Sequence, residues 1–139
     1  MVKNQKGVTL IELLAAIALL SVVLLVANSI HLFGQKQMSD QTAEIQNQSN
    51  VRLAMDIITK RIRKASTISV DNNGVLTLDN TDVYKLDNNN LTQNSQPIIN
   101  NLQKFEIQYD GSKITVTIAD LPNTNTPQTT LSTTIYIRK

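Results

Sequence analysis

The sequence of 139 residues has no cysteine and no tryptophan, a single histidine, and few glycines and prolines. Without cysteine, neither disulfide bonds nor thiolate metal ligands can form. His31, the one histidine, stands at the end of an apolar run, where residues of a folded domain would not readily reach it to form a catalytic site. These absences argue against an enzyme, and we expect no catalytic residues, no cofactor and no metal.

The acidic residues of the C-terminal half give no clear metal or acid–base pattern. Most of them flank turn residues, where an aspartate side chain accepts hydrogen bonds from the local backbone. These residues are Asp71, Asp79, Asp82, Asp87, Asp110 and Asp120. A calcium loop between Asp79 and Asp87 is an alternative, but the spacing does not match that of an EF-hand.

The formal net charge of +2 is concentrated at the N-terminus. Lys3 and Lys6 precede the apolar run, and the chain from Val8 onward has 11 basic and 11 acidic side chains. This balance gives no global reason to expect a nucleic acid partner. The densest basic group comprises Lys60, Arg61, Arg63 and Lys64, with Arg52 earlier. A solvated helix end explains this group better than DNA contact, because no aromatic residues alternate with it.

Residues 13–30 carry no charge, and only Ser21, Asn28 and Ser29 among them are polar. Eighteen such residues approach the ~20 that cross a bilayer as a helix. The alternative is a secretory signal peptide, but the run exceeds an h-region of about 7–15 residues and no small-x-small cleavage site follows. We therefore predict a single-pass anchor, with the lysine-bearing end in the cytoplasm and the chain after residue 34 outside.

A helical period continues after Gly34 in a more polar sequence. The apolar positions form one stripe, comprising Met38, Ile45, Val51, Met55, Ile58, Ile62 and Ala65. Asp56 and Lys60 are spaced to form an i,i+4 ion pair on another face. No proline interrupts residues 8–66, and Gly34 is the one helix-weakening residue there. The pattern predicts one helix of nearly 60 residues.

After residue 66 the apolar period changes to two, which is typical of strands. The predicted strands are 68–70, 76–78, 83–86, 105–109, 112–118 and 131–137, with a loop over 121–128. In the clearest hairpin, Asp110-Gly111 is predicted to form a two-residue type I′ loop. That loop pairs Ile107 with Ile114 and Phe105 with Val116.

Together these patterns predict an α+β fold, in which a long N-terminal helix packs on a C-terminal antiparallel β-sheet head. The helix stripe from Val51 to Ala65 is expected to cover the apolar face of the sheet. The predicted segments are 1–7, a leader peptide; 8–33, a transmembrane or filament-core helix; 34–66, an amphipathic helix; and 67–139, the head.

Glu12 is the one acid in an apolar helix start. By itself, an acid so near the helix start reaches the headgroup region at little cost. Its neighbours, however, form the stretch "KGVTLIE", and this resembles the prepilin processing motif of type IV pilins and pseudopilins. The resemblance rests on Gly7, Thr9, Leu10, Ile11 and Glu12, with a long apolar helix behind them. Val8 departs from the family, which most often has phenylalanine there.

The resemblance implies a processing and assembly mechanism. A membrane-embedded prepilin peptidase would cleave between Gly7 and Val8, and the new Val8 terminus would be N-methylated. In a filament, Glu12 would pair with the Val8 ammonium of a neighbouring subunit. Glycine suits the cleavage position because it allows the backbone to enter a tight site.

The head segment "LQKFEIQYDGSKITVTIADL" is similar to that of J-type pseudopilins and minor pilins, and the lack of cysteine departs from many major pilins. The resemblance implies a minor pilin or pseudopilin of a filament for DNA uptake, adhesion or type II-like secretion. Its partners would be other major and minor pilins, the prepilin peptidase, the assembly platform and, before assembly, the cytoplasmic membrane. DNA is a weakly supported further partner. The alternative is a single-pass anchored binding module that never enters a filament.

Overall fold

The computed structural model describes residues 7–122 and 127–137 of the chain. The predicted leader therefore lies outside the described residues except for Gly7, as do residues 123–126 of the predicted loop. The elements are a helix, α1 (Leu10–Lys64), and eight strands. The strands are β1 (Ile68–Val70), β2 (Leu76–Leu78), β3 (Asp82–Asp87), β4 (Asn90–Gln93), β5 (Gln96–Ile99), β6 (Leu102–Tyr109), β7 (Lys113–Asp120) and β8 (Thr130–Tyr136).

The chain forms two compact units, Met1–Ser39 and Asp40–Lys139. The described part of the first unit is helical from Leu10 onward, and the helix continues through Gly34. None of its described residues is buried. The predicted long helix is confirmed, with ends at 10 and 64 in place of 8 and 66.

In the second unit, one face of α1 is buried against the head. The buried residues recur every three or four positions, as one side of a helix requires, and are Asn47, Val51, Ala54, Ile58 and Ile62. The predicted cover is thereby confirmed from Val51 onward. Met38 and Ile45, which precede the predicted cover in the apolar pattern, are exposed. Ile45 lies two positions before Asn47, roughly 200° around the helix from the buried face.

The head contains two antiparallel sheets, whereas the sequence pattern predicted one. The first has the order β1-β2-β3-β4-β5 and the second the order β6-β7-β8. Strands β4 and β5 were not predicted. They are joined to their neighbours by two-residue loops, Asn88-Asn89 and Asn94-Ser95, in which both residues have positive φ. Such loops match type I′ turns, and asparagine tolerates this conformation better than most residues.

The β6–β7 hairpin forms, but its predicted register is wrong by two residues. Ile107 pairs with Val116 and Phe105 with Ile118. The loop is Gly111-Ser112, of which only Gly111 has positive φ, so the turn is not type I′. The Asp110 carboxylate fixes this loop by accepting the N–H groups of Ser112 and Lys113, at 3.0 and 2.9 Å. Because side chains alternate with a period of two, a slip of two keeps the same residues on the buried face.

The core lies between the α1 face and the inner faces of the two sheets. Its largest fully buried side chain is that of Tyr84 on β3. The Tyr84 hydroxyl has no hydrogen-bond partner among the described residues. Burial raises the pKa of this hydroxyl above its usual value, and the nearby Arg61 guanidinium offsets only part of the rise. A buried hydroxyl without a partner destabilises the folded state.

Candidate functional site

The start of α1 is fixed by a reciprocal pair of side chains, Thr9 and Glu12. The backbone N–H and the hydroxyl of Thr9 both donate to Oε2 of Glu12, each at 2.9 Å. The backbone N–H of Glu12 in turn lies 3.3 Å from Thr9 Oγ1. Since the helix begins at Leu10, Thr9 is the N-cap and Glu12 is the third helical residue. This arrangement is a capping box.

The cap is a role of Glu12 that the sequence analysis missed. The signal was present as Thr-x-x-Glu directly before an apolar run. Both Thr9 bonds end on the same oxygen, Oε2. A carboxylate has two oxygens and about four acceptor positions, so Oε1 remains able to accept a further donor.

Gly7 and Val8, the predicted cleavage pair, precede the cap. A Cβ placed on Gly7 would meet no atom within 4 Å among the described residues. Val8 is 77% exposed. Packing within the described chain therefore gives no reason for glycine at position 7.

The apolar half of α1 is suited to a hydrocarbon environment. Among the described residues, α1 is the one helix that is long and apolar enough to cross a membrane, and none of its apolar window is buried. Its serines satisfy their own hydroxyls: Ser21 Oγ donates to the carbonyl of Ile17 at 2.8 Å, and Ser29 Oγ to that of Leu25 at 2.9 Å. Hydroxyls bonded within the helix avoid the cost of an unpaired polar group in lipid.

The structure divides the predicted basic group. A cleft of about 450 Å³ is lined by Lys60, Arg61 and Lys64 together with Asp56, Ile57, Gln93 and Ile98. Arg63 lines a different groove, and Arg52 lines neither of these two. Lys60 forms the predicted ion pair with Asp56, at 2.8 Å, and Arg61 lies 3.9 Å from Asp82. Two of the five cations therefore already have acidic partners.

Asp71 and Asp79 accept backbone N–H groups in the connecting segments of the head. Asp79 Oδ1 accepts the N–H groups of Ser66 and Thr67, and Asp71 Oδ1 accepts those of Asn73 and Val75. In the part of the chain that the structure describes, no three histidine, cysteine or acidic side chains cluster as metal ligands would. Asp71 and Asp79 therefore serve as hydrogen-bond acceptors for the backbone.

Comparison with protein families supports the N-terminal assignment. The family model for the prokaryotic N-terminal methylation motif matches residues 2–28. The matched segment contains Gly7, the Thr9–Glu12 cap and the apolar start of α1, and it is similar to the N-terminus of type IV pilin-like precursors, the class of protein that prepilin peptidase processes. An apolar single-pass helix fits this class. No curated protein and no solved structure matched the chain.

Proposed function

We propose that the chain is a minor pilin or pseudopilin, which prepilin peptidase cleaves after Gly7 and which then joins a type IV pilus-like filament. The carrying observation is the methylation motif over residues 2–28, which overlaps the apolar first half of α1, where none of the apolar window is buried. Such a helix requires an external apolar environment. Lipid supplies it before assembly, and the helices of other pilins supply it afterwards.

Cleavage between Gly7 and Val8 is supported by the surroundings of Gly7. Its own chain leaves space for a side chain at this position. The need for glycine then comes from outside the chain, from an active site that admits only a bare backbone. Val8, exposed and next to the cap, becomes the new N-terminus and the site of N-methylation, which keeps its positive charge.

Assembly is proposed to depend on the charge of Glu12. Two unpaired charges inside an apolar helix bundle would each cost several kcal/mol, and pairing offsets much of that cost. In this proposal, Oε1 of Glu12 accepts the Val8 ammonium of a neighbouring subunit while Oε2 keeps the Thr9 cap. The pair acts as a register device between subunits.

The basic group has no part in this proposal. Lys60 and Arg61 have acidic partners in their own chain, and the five cations do not share one cleft. The proposal covers a filament for DNA uptake, adhesion or secretion alike.

Processing is tested by N-terminal sequencing of protein extracted from membranes. We expect the wild type to begin at Val8 and Gly7→Leu to retain its leader. Gly34→Leu is the matched control, because Gly34 also has space for a side chain. We expect this control to be cleaved normally. Wild-type protein that retains residues 1–7 would contradict the proposal and favour an anchored binding module that is not assembled.

Assembly is tested with variants that separate charge from capping. Glu12→Gln keeps an oxygen for Thr9, since glutamine also serves at this position of a capping box, but it loses the charge. Thr9→Ala loses the capping hydroxyl and keeps the carboxylate. We expect both variants to insert and to be cleaved, and only Glu12→Gln to be depleted from sheared filaments or cross-linked pilin complexes. Depletion of Thr9→Ala with normal incorporation of Glu12→Gln would show that Glu12 serves the cap alone.

A further inference from the structure

Strand β8 is an edge strand with an open side. Among the described residues it pairs with β7 alone. The N–H of Ile137 donates to the carbonyl of Ser112 at 2.9 Å, so the odd-numbered residues of β8 direct their backbone groups toward β7. The even-numbered residues Ser132, Thr134 and Tyr136 therefore direct their N–H and C=O groups away from the sheet.

The other edge strands carry features that block further pairing. β1 has only three residues. β5 contains Pro97 and joins β4 across a register shift. β6 carries the ion-paired Lys104 and Glu106 and also has a register shift. Short length, proline, charge and bulges are the common protections of sheet edges.

β8 has none of these protections. It is seven residues long, and its sequence TLSTTIY contains neither charge nor proline. Its pairing with β7 runs from Lys113 to Ala119 without a register shift. A regular, uncharged and open edge is a template for another strand.

A groove of about 820 Å³ runs beside the end of β8. Apolar side chains from three elements line it, including Ile62 of α1, Ile68 of β1 and Ile135 of β8. Arg63 is the one charged residue among its described lining, and Arg63 forms no ion pair within the part of the chain that the structure describes. The groove thus combines an open strand edge, an apolar wall and one cation without an ion-pair partner among the described residues.

We propose that this groove binds an extended segment of another protein, which adds to β8 as a ninth strand. The backbone of that segment pairs with Ser132, Thr134 and Tyr136, its alternate apolar side chains face Ile62 and Ile68, and a carboxylate pairs with Arg63. A second β8 does not fit this role. The described residues 127–137 carry no acid, so a second copy would leave Arg63 unpaired. The proposal does not depend on filament assembly.

The test uses the full chain in detergent micelles and a synthetic peptide of alternating valine and threonine that ends in two aspartates. Residue-resolved hydrogen exchange is the measurement. In the free chain, we expect rapid exchange at Ser132, Thr134 and Tyr136 and slow exchange at Leu131 and Ile135. Peptide at about ten times its dissociation constant should slow the first three amides roughly tenfold and leave the other two unchanged.

Variants at one position distinguish backbone pairing from side-chain contact. Thr134→Pro removes an outward N–H without removing a bond to β7, and it should weaken peptide binding by roughly fivefold or more. Thr134→Val is the matched control, since it loses only the hydroxyl that lies 3.1 Å from that of Thr115, and it should bind like the wild type. Slow exchange at Leu131 and Ile135 in Thr134→Pro verifies that β8 still pairs with β7.

Charge is tested separately with Arg63→Glu. This variant should bind the aspartate-ended peptide more weakly and a lysine-ended peptide more tightly than the wild type does. Methylation of alternate backbone nitrogens in the peptide should abolish protection of the three β8 amides.

Three results would overturn the proposal. One is a failure of the peptide to protect the outward amides, or an equal peptide affinity of Thr134→Pro and the wild type. Another is slow exchange at these amides in the monomeric free chain, which would mean that the chain covers its own edge. The third is protection that rises with protein concentration without peptide, which would make a second copy the occupant.

Discussion

The two halves of helix α1 have the same backbone and opposite surroundings. Residues 10–39 bury no side chain, although most of residues 10–33 are apolar. Residues 40–64 are more polar, yet they bury Asn47, Val51, Ala54, Ile58 and Ile62. The second half hides one stripe against its own head, while the first half has apolar residues on every side and no cover within its unit.

This difference shows that helix formation and helix burial have separate causes. Both halves form a helix because backbone hydrogen bonds, good helix formers and the absence of proline favour it. Burial follows the distribution of apolar side chains around the axis. A stripe fits a folded head, whereas an all-round apolar surface fits lipid or the interior of a helix bundle.

The largest effect is expected when the first half is removed. A chain that starts at Gln35 should leave the membrane fraction and remain soluble, because the apolar residues that it loses are exposed and support no packing in the head. Far-ultraviolet circular dichroism should report mixed helix and strand. Sedimentation should report how the protein divides between the soluble and the membrane fractions. Aggregation of this chain, with loss of strand signal, would mean that the two halves depend on one another.

A matched pair of acidic substitutions compares the two halves directly. Ile58→Asp should lower the free energy of unfolding of the head by several kcal/mol, because it places an unpaired carboxylate at a fully buried position. Leu19→Asp, at a position 69% exposed, should leave the unfolding of the head unchanged and should reduce membrane insertion. Thermal unfolding in detergent measures the stability of the head, and membrane fractionation measures insertion. Equal loss of head stability in both variants would contradict the separate roles of the two halves.

A smaller effect is expected at Tyr84. Tyr84→Phe removes the buried hydroxyl that lacks a partner, so the free energy of unfolding should stay the same or rise by up to about 1 kcal/mol. Tyr136→Phe is the control, since Tyr136 is 77% exposed, and it should change nothing. A fall in the melting temperature of Tyr84→Phe would show that the hydroxyl has a partner that stabilises the fold.

The smallest effect concerns the Asp110 loop. Hydrogen bonds from the N–H groups of Ser112 and Lys113 and from the Ser112 hydroxyl lower the pKa of Asp110 from 3.8 to about 2. A carboxylate with a lowered native pKa adds stability above its unfolded pKa, and this is lost as the pH falls through the native value. The stability advantage of the wild type over Asp110→Asn should therefore shrink between about pH 4 and pH 2. If the difference in melting temperature between the wild type and Asp110→Asn does not change with pH, the shape of the Asp110 side chain and not its charge stabilises the loop.

The sequence predicted the features that depend on long patterns. The helix, the cover from Val51 to Ala65 and the antiparallel class of the head each follow from periodicity over many residues. The Thr9–Glu12 cap was equally readable, but the resemblance of Glu12 to a processing motif drew the interpretation toward partners. Whether Glu12 also pairs with a neighbour remains a prediction.

The features that the sequence did not predict depend on single turns. Asn88-Asn89 and Asn94-Ser95 form tight loops without glycine, so β4 and β5 were hidden in a polar stretch. Near Asp110, either Asp110-Gly111 or Gly111-Ser112 could form a two-residue loop, and both loops place the same side chains inward. The hydrogen bonds of the Asp110 carboxylate decide between them, and apolar periodicity contains no information about such bonds.

The order of strands in the head also has a kinetic consequence. Every pairing joins strands that are consecutive in the sequence, and most of the connections within each sheet are short. Closing a short loop costs little chain entropy, so each sheet is expected to form rapidly and without the other. The contact between Asn50 on α1 and Asn100 spans fifty residues of chain. Docking of the sheets onto the helix is therefore the step that we expect to limit the folding rate of the head.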